Sequence, residues 1–122
     1  MNVTIPTTAP LDCSQVSEVL GRVGEKWTMQ VVIALRDQPY RFNEIKRHVR
    51  GISQQMLART LKTLERDGMV KRTVGPTAPP QVEYELTALG RSLSAPVRQL
   101  AQWARAHLAA IHDNQLSYDA TH

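Results

Sequence analysis

The sequence of 122 residues has one cysteine, few aromatic residues and no long apolar run, and each scarcity excludes a class of protein. Cys13 cannot form a disulfide within the chain, and no cysteine or histidine pair has the spacing of a zinc site. No stretch approaches the roughly 18 apolar residues of a membrane span, and the first residues lack the pattern of a secretory signal. We therefore expect a cytoplasmic protein that has no metal, no cofactor and no membrane partner.

Catalytic motifs are also missing. The sequence contains no Gly-rich phosphate loop, no nucleophile with a plausible base and no cluster of metal ligands, so an enzyme is the least favoured interpretation. A chain of this length suffices for one compact domain with a single core. The protein is therefore expected to act by binding rather than by catalysis.

What the sequence does contain is an uneven distribution of charge. Lysine and arginine number 15 against 11 acidic residues, and the excess lies in residues 36–72, which hold ten basic and four acidic residues. The remainder of the chain carries a net charge of −2. A positive middle region indicates contact with a polyanion, although an ordinary solvated basic surface would give the same count.

The hydrophobic pattern predicts a mainly α protein with a small β-hairpin. Residues 1–11 are expected to form a flexible arm, residues 12–112 a folded domain and residues 113–122 a disordered tail. Within the domain the predicted order is helix, helix, short strand, helix, helix, strand, loop, strand and long helix. That order is typical of a winged helix-turn-helix, an α+β fold whose hairpin is the wing.

Local signals place the ends of these elements. Asp12 is predicted to cap the first helix, which ends near Gly24, and Asn43 to cap a short helix after a strand at residues 40–42. Further elements are predicted as a helix from Lys26 to before Pro39, strands at 70–74 and 82–86, and a long helix from Thr87. A helix at 53–67 is predicted with Ser53 as its N-cap, Ile52 ahead of it in position to pack on Leu57, and Gly68 as its stop. Pro96 lies inside the last helix, where we expect a kink or a restart.

The helix at residues 53–67 is the candidate recognition helix. With Leu57 at zero on a helical wheel, Leu61 and Leu64 fall within about 40° and form a buried seam. Four side chains fall on the opposite face, at about 140° to 200°: Lys62, Gln55, Arg66 and Arg59. Arginine can pair with guanine, glutamine with adenine, and either cation with phosphate. Any amphipathic helix has a polar face, however, so the helix alone does not decide the function.

Neighbouring basic residues favour DNA binding. A short basic helix precedes the recognition helix, and a hairpin with two cations follows it, where a wing can reach the DNA backbone or the minor groove. The predicted partner is double-stranded DNA. The candidate DNA-binding residues are Ser53, Gln54, Gln55, Arg59, Lys62, Arg41, Arg47, Lys71 and Arg72.

Several separate motifs also resemble the HxlR family of bacterial winged-helix regulators, related in fold to MarR-type proteins. The matching segments are Cys13, Gly24-Glu25-Lys26-Trp27-Thr28, Arg41-Phe42-Asn43-Glu44-Ile45, Gly51-Ile52-Ser53 with Met56-Leu57, residues 61–70, and residues 79–87 running into Leu89-Gly90. The likeness covers residues 13 to about 108. The sequence departs from the common pattern in having Ser14 after the cysteine and Glu25 before the Lys-Trp pair, which leaves the effector open.

The resemblance implies a homodimer joined through the first and last helices and bound to a pseudo-palindromic operator as a transcription regulator. We expect a repressor, while the residues leave repression and activation both open. An apolar stripe on the last helix gives a physical reason, since a small domain leaves so long a face uncovered unless a partner covers part of it. The predicted interface residues are Val16, Leu20, Leu93, Leu100, Trp103 and Leu108. Trp103 could equally be a core aromatic, and Trp27 is assigned to the core.

Several members of this family sense oxidants, quinones or aldehydes through the cysteine that matches Cys13. In the first turn of a helix the dipole favours a reactive thiolate, whereas the neighbouring charge of Asp12 opposes it. An isolated cysteine can also be a small apolar filler. A thiol-reactive effector is therefore one hypothesis for this chain.

Two other functions remain open from the residues. An architectural nucleic-acid binder would show no preferred sequence, and a winged helix used for protein contacts would show no salt-dependent DNA binding.

Overall fold

The computed structural model describes residues 13–122, which form five helices and three strands. In chain order these are α1 (Cys13–Val23), α2 (Lys26–Leu35), β1 (Tyr40–Arg41), α3 (Phe42–His48), α4 (Gln54–Arg66), β2 (Val70–Val74), β3 (Val82–Leu86) and α5 (Ala88–Thr121). The predicted fold class, mainly α with a β-hairpin wing, is confirmed. The predicted arm at residues 1–11 and the predicted cap Asp12 lie outside the described residues.

Helix α2 lies at the centre of the core and packs against α3, α4, α5 and β3. Val31 and Val32 are fully buried, and Leu35 is nearly so. The other buried core side chains come from α3, α4, the turn before α4 and the two long strands: Ile45, Val49, Ile52, Leu57, Leu61, Leu64, Val70 and Leu86. Because each such side chain contributes about 1.5–3 kcal/mol on burial, this cluster holds the central elements together.

The sheet is antiparallel, with the strand order β1-β3-β2. Strands β2 and β3 pair from Val70 opposite Leu86 to Val74 opposite Val82, so both predicted strands are confirmed. Strand β1 has two residues rather than the predicted three, because the next residue already begins α3.

The cap of α3 differs from the prediction. The helix begins at Phe42, and the backbone N–H of Arg41 donates to Oε1 of Glu44 at 2.9 Å. Asn43 therefore lies inside the first turn and is not the cap. The Glu44 carboxylate, three residues after the cap, instead accepts from the backbone N–H of the cap residue Arg41, as in a capping box.

Helix α5 is longer than predicted. It runs 34 residues without a restart at Pro96, and it includes residues 113–121, which we predicted to belong to a disordered tail. No glycine or proline follows Pro96 to stop the helix, and Tyr118 stacks on His122 one turn later, with ring centroids 4.0 Å apart. Despite this length, no helix within residues 13–122 is apolar enough to cross a membrane.

Candidate nucleic-acid interface

The candidate recognition helix α4 is fixed at both ends by the residues that the sequence indicated. The Ser53 hydroxyl oxygen accepts a hydrogen bond from the Met56 backbone N–H at 3.0 Å, as an N-cap does. After the helix, Gly68 has a φ of +78°, a left-handed conformation that glycine adopts without strain. The axis of α4 is thereby defined at its start and its end.

The two faces of α4 are divided as predicted. Leu57, Leu61 and Leu64 are each at most 2% exposed and face the core. The opposite face is solvent-exposed at Gln55, Arg59, Lys62 and Arg66, and Gln54 in the first turn is exposed as well. No other residue of the described chain forms an ion pair with Arg59 or Lys62. Their charges are therefore left to solvent or to a ligand.

The wing brings one of its two predicted cations to α4. Neighbouring strand residues point to opposite faces of a sheet, so Lys71 and Arg72 cannot face the same way. Arg72 lines a cleft with Lys62 and Glu65 of α4, floored by Phe42 and Tyr84. Lys71 lies on the other face, opposite Glu85 of β3.

The remaining two predicted cations lie on other elements. Arg41 is exposed in β1, opposite Glu83 of β3, and the strand order places β3 between it and the wing strand β2. Arg47 is exposed on α3, in a last turn that also holds Lys46 and His48. The structure thus brings Lys62 and Arg72 to one cleft and leaves Arg41 across the sheet from them.

Sequence reasoning missed the residues that shape this cleft. Tyr84 pairs with Arg72 across the hairpin, and Phe42, the first residue of α3, directly follows β1; both line the cleft. The pairing of β2 with β3 was the one available signal, because it places Tyr84 opposite Arg72 once the register is known. Glu65 adds an acid at the cleft, so this part of the surface is not uniformly positive.

The terminal helices expose apolar side chains. No residue of α1 is buried, and Leu20 is 61% exposed. On α5, Leu93 packs against the core, whereas Leu100, Trp103 and Leu108 are 51%, 54% and 66% exposed. Val16 is 46% exposed. Five of the six predicted interface residues are therefore uncovered within one chain, and Trp103 is not a core residue of it.

Both remaining predictions of single residues concern α1 and α2. Cys13 is the first residue of α1, exposed and not in a disulfide. Trp27 is partly buried against the core, as expected, and the Lys26 ammonium lies 4.5 Å from the centroid of its ring. Within residues 13–122 no three His, Cys, Asp or Glu side chains are grouped to hold a metal ion.

An N-capped helix with an exposed cationic face, preceded by a short helix and followed by a two-stranded wing, defines a winged helix-turn-helix DNA-binding protein. A family model described as HxlR-like helix-turn-helix matches residues 22–112. The chain belongs to this family, and it is a transcription regulator with a helix-turn-helix domain.

Relatives with known names agree with this class. The chain is 40% identical over 94 residues to the uncharacterized HTH-type transcriptional regulator YtfH of Escherichia coli K12, covering 77% of this chain and 75% of that protein. The solved structure of the regulator ytfH from Salmonella typhimurium has a TM-score of 0.74 and 39% identity, covering 82% of this chain and 89% of that one.

One solved relative is described as a redox regulator. The reduced form of HypR matches with a TM-score of 0.74 and 36% identity, covering 81% of this chain and 98% of that one. HypR has also been solved in an oxidized form.

Proposed function

We propose that this protein is a sequence-specific repressor that binds a pseudo-palindromic operator as a homodimer and responds to thiol-reactive compounds through Cys13. One combination of observations supports the proposal. The cations Arg59 and Lys62 on α4 have no ion-pair partner among the described residues, and α1 and α5 expose apolar faces in the same chain. The first surface suits DNA and the second suits another copy of the protein.

DNA recognition is proposed to use the start and the exposed face of α4. Gln54 and Gln55 lie in the first turn, where a recognition helix meets base edges, and Arg59 follows one turn later on the same face. Lys62 and Arg72 would hold the phosphate backbone, because a cleft between helix and wing carries both charges. Ser53 caps the helix, while Arg41, Arg47 and Lys71 would make peripheral contacts.

Dimerisation is proposed to cover the exposed residues of α1 and α5, namely Val16, Leu20, Leu100, Trp103 and Leu108, with Leu93 at the inner edge. In a two-fold symmetric dimer the same patch serves both chains. Two recognition helices would then enter major grooves one turn of DNA apart, about 34 Å. A protein held across adjacent grooves excludes other proteins from that DNA, which is the physical basis of the proposed repression.

Binding-site selection from random duplexes tests the main proposal. A sequence-specific regulator should bind the selected duplex about 10³-fold or more tightly than random duplex, with two half-sites protected. A ratio near one would instead indicate an architectural binder. An affinity that does not change with salt concentration would indicate protein contacts and not DNA binding.

The response to thiol reagents is tested with diamide. Since each chain has one cysteine, a disulfide must join two chains: the two Cys13 thiols lose two protons and two electrons, and diamide takes them up as a hydrazine. We expect diamide to change the operator affinity of the wild type and to leave Cys13→Ser unaffected. Identical responses of the two proteins would exclude Cys13 as the sensor.

A further inference from the structure

An ion pair joins α1 to the end of the recognition helix. The Arg22 guanidinium donates from Nε to Oδ2 of Asp67 at 3.0 Å and from Nη1 to Oε1 of Glu18 at 3.4 Å. Arg22 lies in the last turn of α1, and Asp67 is the C-cap of α4, 45 residues further along the chain. This bond connects a proposed dimerisation helix directly to the proposed DNA-reading helix.

The bond matters because no buried side chain anchors α1 to the core. None of the residues of α1 is buried, whereas α4 is anchored to the core by three leucines. The two carboxylate contacts are also not equivalent. The Asp67 side chain is 20% exposed and the Glu18 side chain 72%, so the bond to Asp67 is the less hydrated of the two.

Asp67 lies at a position where a nearby cation is electrostatically favourable. A carboxylate at the C-terminus of a helix faces the negative end of the helix dipole, which is unfavourable. Arg22, 37% exposed, supplies the opposite charge at that point. An acidic residue at this cap is thus stabilised by a residue of another helix, and the orientation of one helix depends on the other.

We propose that Arg22 and Asp67 are positioning residues that set the angle between α1 and the recognition helix, and thereby the spacing of half-sites that the dimer accepts. This inference rests on the proposed function. If α1 moves relative to the other chain of the dimer, for example after a change at Cys13 nine residues before Arg22, the ion pair carries that movement to α4. Arg22 and Asp67 need not touch DNA for this role.

The test compares two operators, the selected one and the same sequence with one base pair inserted between the half-sites. We expect Arg22→Ala and Asp67→Ala each to reduce the discrimination between these operators about tenfold. The double variant should lose no more than either single variant, because both changes remove the same bond. The charge-reversed pair, Arg22→Glu with Asp67→Arg, should restore at least half of the lost discrimination on a logarithmic scale.

Arg36→Ala is the matched control, because it removes another arginine ion pair, Arg36 with Asp37 at 3.3 Å, that does not involve α1 or α4. It should leave the discrimination unchanged. Arg22→Gln, which keeps a polar side chain on α1, should behave like Arg22→Ala and guards against a folding defect in either. Single variants that weaken binding to both operators equally, or to neither, overturn the inference while the proposed function stands. A wild type that prefers no sequence overturns both.

Discussion

The two parts of this molecule differ in how completely one chain covers its apolar residues. Between α2 and β3, residues 26–86, the cationic face of α4 is exposed and the leucines behind it are covered. The terminal helices instead leave most of their apolar side chains exposed. Helix α1 buries no residue, and α5 buries only Gly90 and Val97 among its 34 residues.

The two parts therefore present different surfaces. A helix that is to meet DNA needs a rigid apolar support and a polar outer face, and α4 has both within a single chain. Exposed apolar residues on α1 and α5 lower the free energy only when something covers them. The central part therefore requires no partner for its own folding, while the terminal helices are proposed to gain one.

The largest expected effect is in the core of the central part. Leu57→Ala should lower the free energy of unfolding by about 2–5 kcal/mol, because a fully buried leucine leaves a cavity. Urea denaturation should give the same loss at low and high protein concentration. Leu108→Ala is the matched control on α5: its effect should vanish on dilution. Equal losses at every concentration for both variants would contradict the division into two parts.

The next largest effect is expected on dimerisation through the terminal helices. Trp103→Ala should weaken dimerisation by about 2 kcal/mol, or roughly 30-fold, because large aromatic residues dominate interfaces. Sedimentation equilibrium measures the dissociation constant. Gln102→Ala, an exposed neighbour on the far side of α5 from the apolar stripe, should leave it unchanged. A dissociation constant that is unchanged by Trp103→Ala would show that this residue lies outside the interface.

An effect of similar or smaller size is expected on α4. Arg59→Ala should weaken binding to the selected operator by about 1–3 kcal/mol and relax the preference at one base position, if the guanidinium reads a base edge. Titrations with the selected and the substituted duplex measure both quantities. Arg105→Ala removes the same charge from α5 and should have little effect. Unchanged affinity and specificity in Arg59→Ala would show that α4 is docked differently.

The smallest effect is expected in the wing, where residues on its two faces should contribute differently to DNA binding. Arg72→Ala should weaken binding to all duplexes alike and lower the slope of log affinity against log salt by about 1, as loss of one phosphate contact does. Lys71→Ala, on the opposite face beside Glu85, should change the slope less. A larger change for Lys71→Ala would mean that the other face of the hairpin meets the DNA.

Local patterns predicted the parts of the fold that local interactions determine. The start of α4 followed from Ser53 with Ile52 ahead of it, and the ends of β2 and β3 followed from alternation and the proline-rich loop between them. The start of α3 was misplaced by two residues because the side chain of Glu44 accepts from the backbone N–H of Arg41, which makes Arg41 the N-cap. The length of α5 was underestimated because the polar composition from Asp113 onward suggested a disordered tail, although no glycine or proline stops the helix there.

Long-range features were out of reach of the sequence. The Arg22 to Asp67 bond joins residues 45 positions apart and leaves no periodic trace. The predicted strand already separates the side chains of Lys71 and Arg72 onto opposite faces, but which of the two faces α4 depends on the orientation of the sheet against that helix. The sequence could therefore name candidate residues, whereas their grouping in space needed the fold.

If one dimer presents residues 26–86 twice to a single operator, the mass of the complex with one selected duplex should report two chains. Native mass spectrometry or sedimentation should find two chains per duplex and almost no complex with one chain, even when duplex is in excess. A stable complex of one chain with one duplex, at full affinity, would contradict the account.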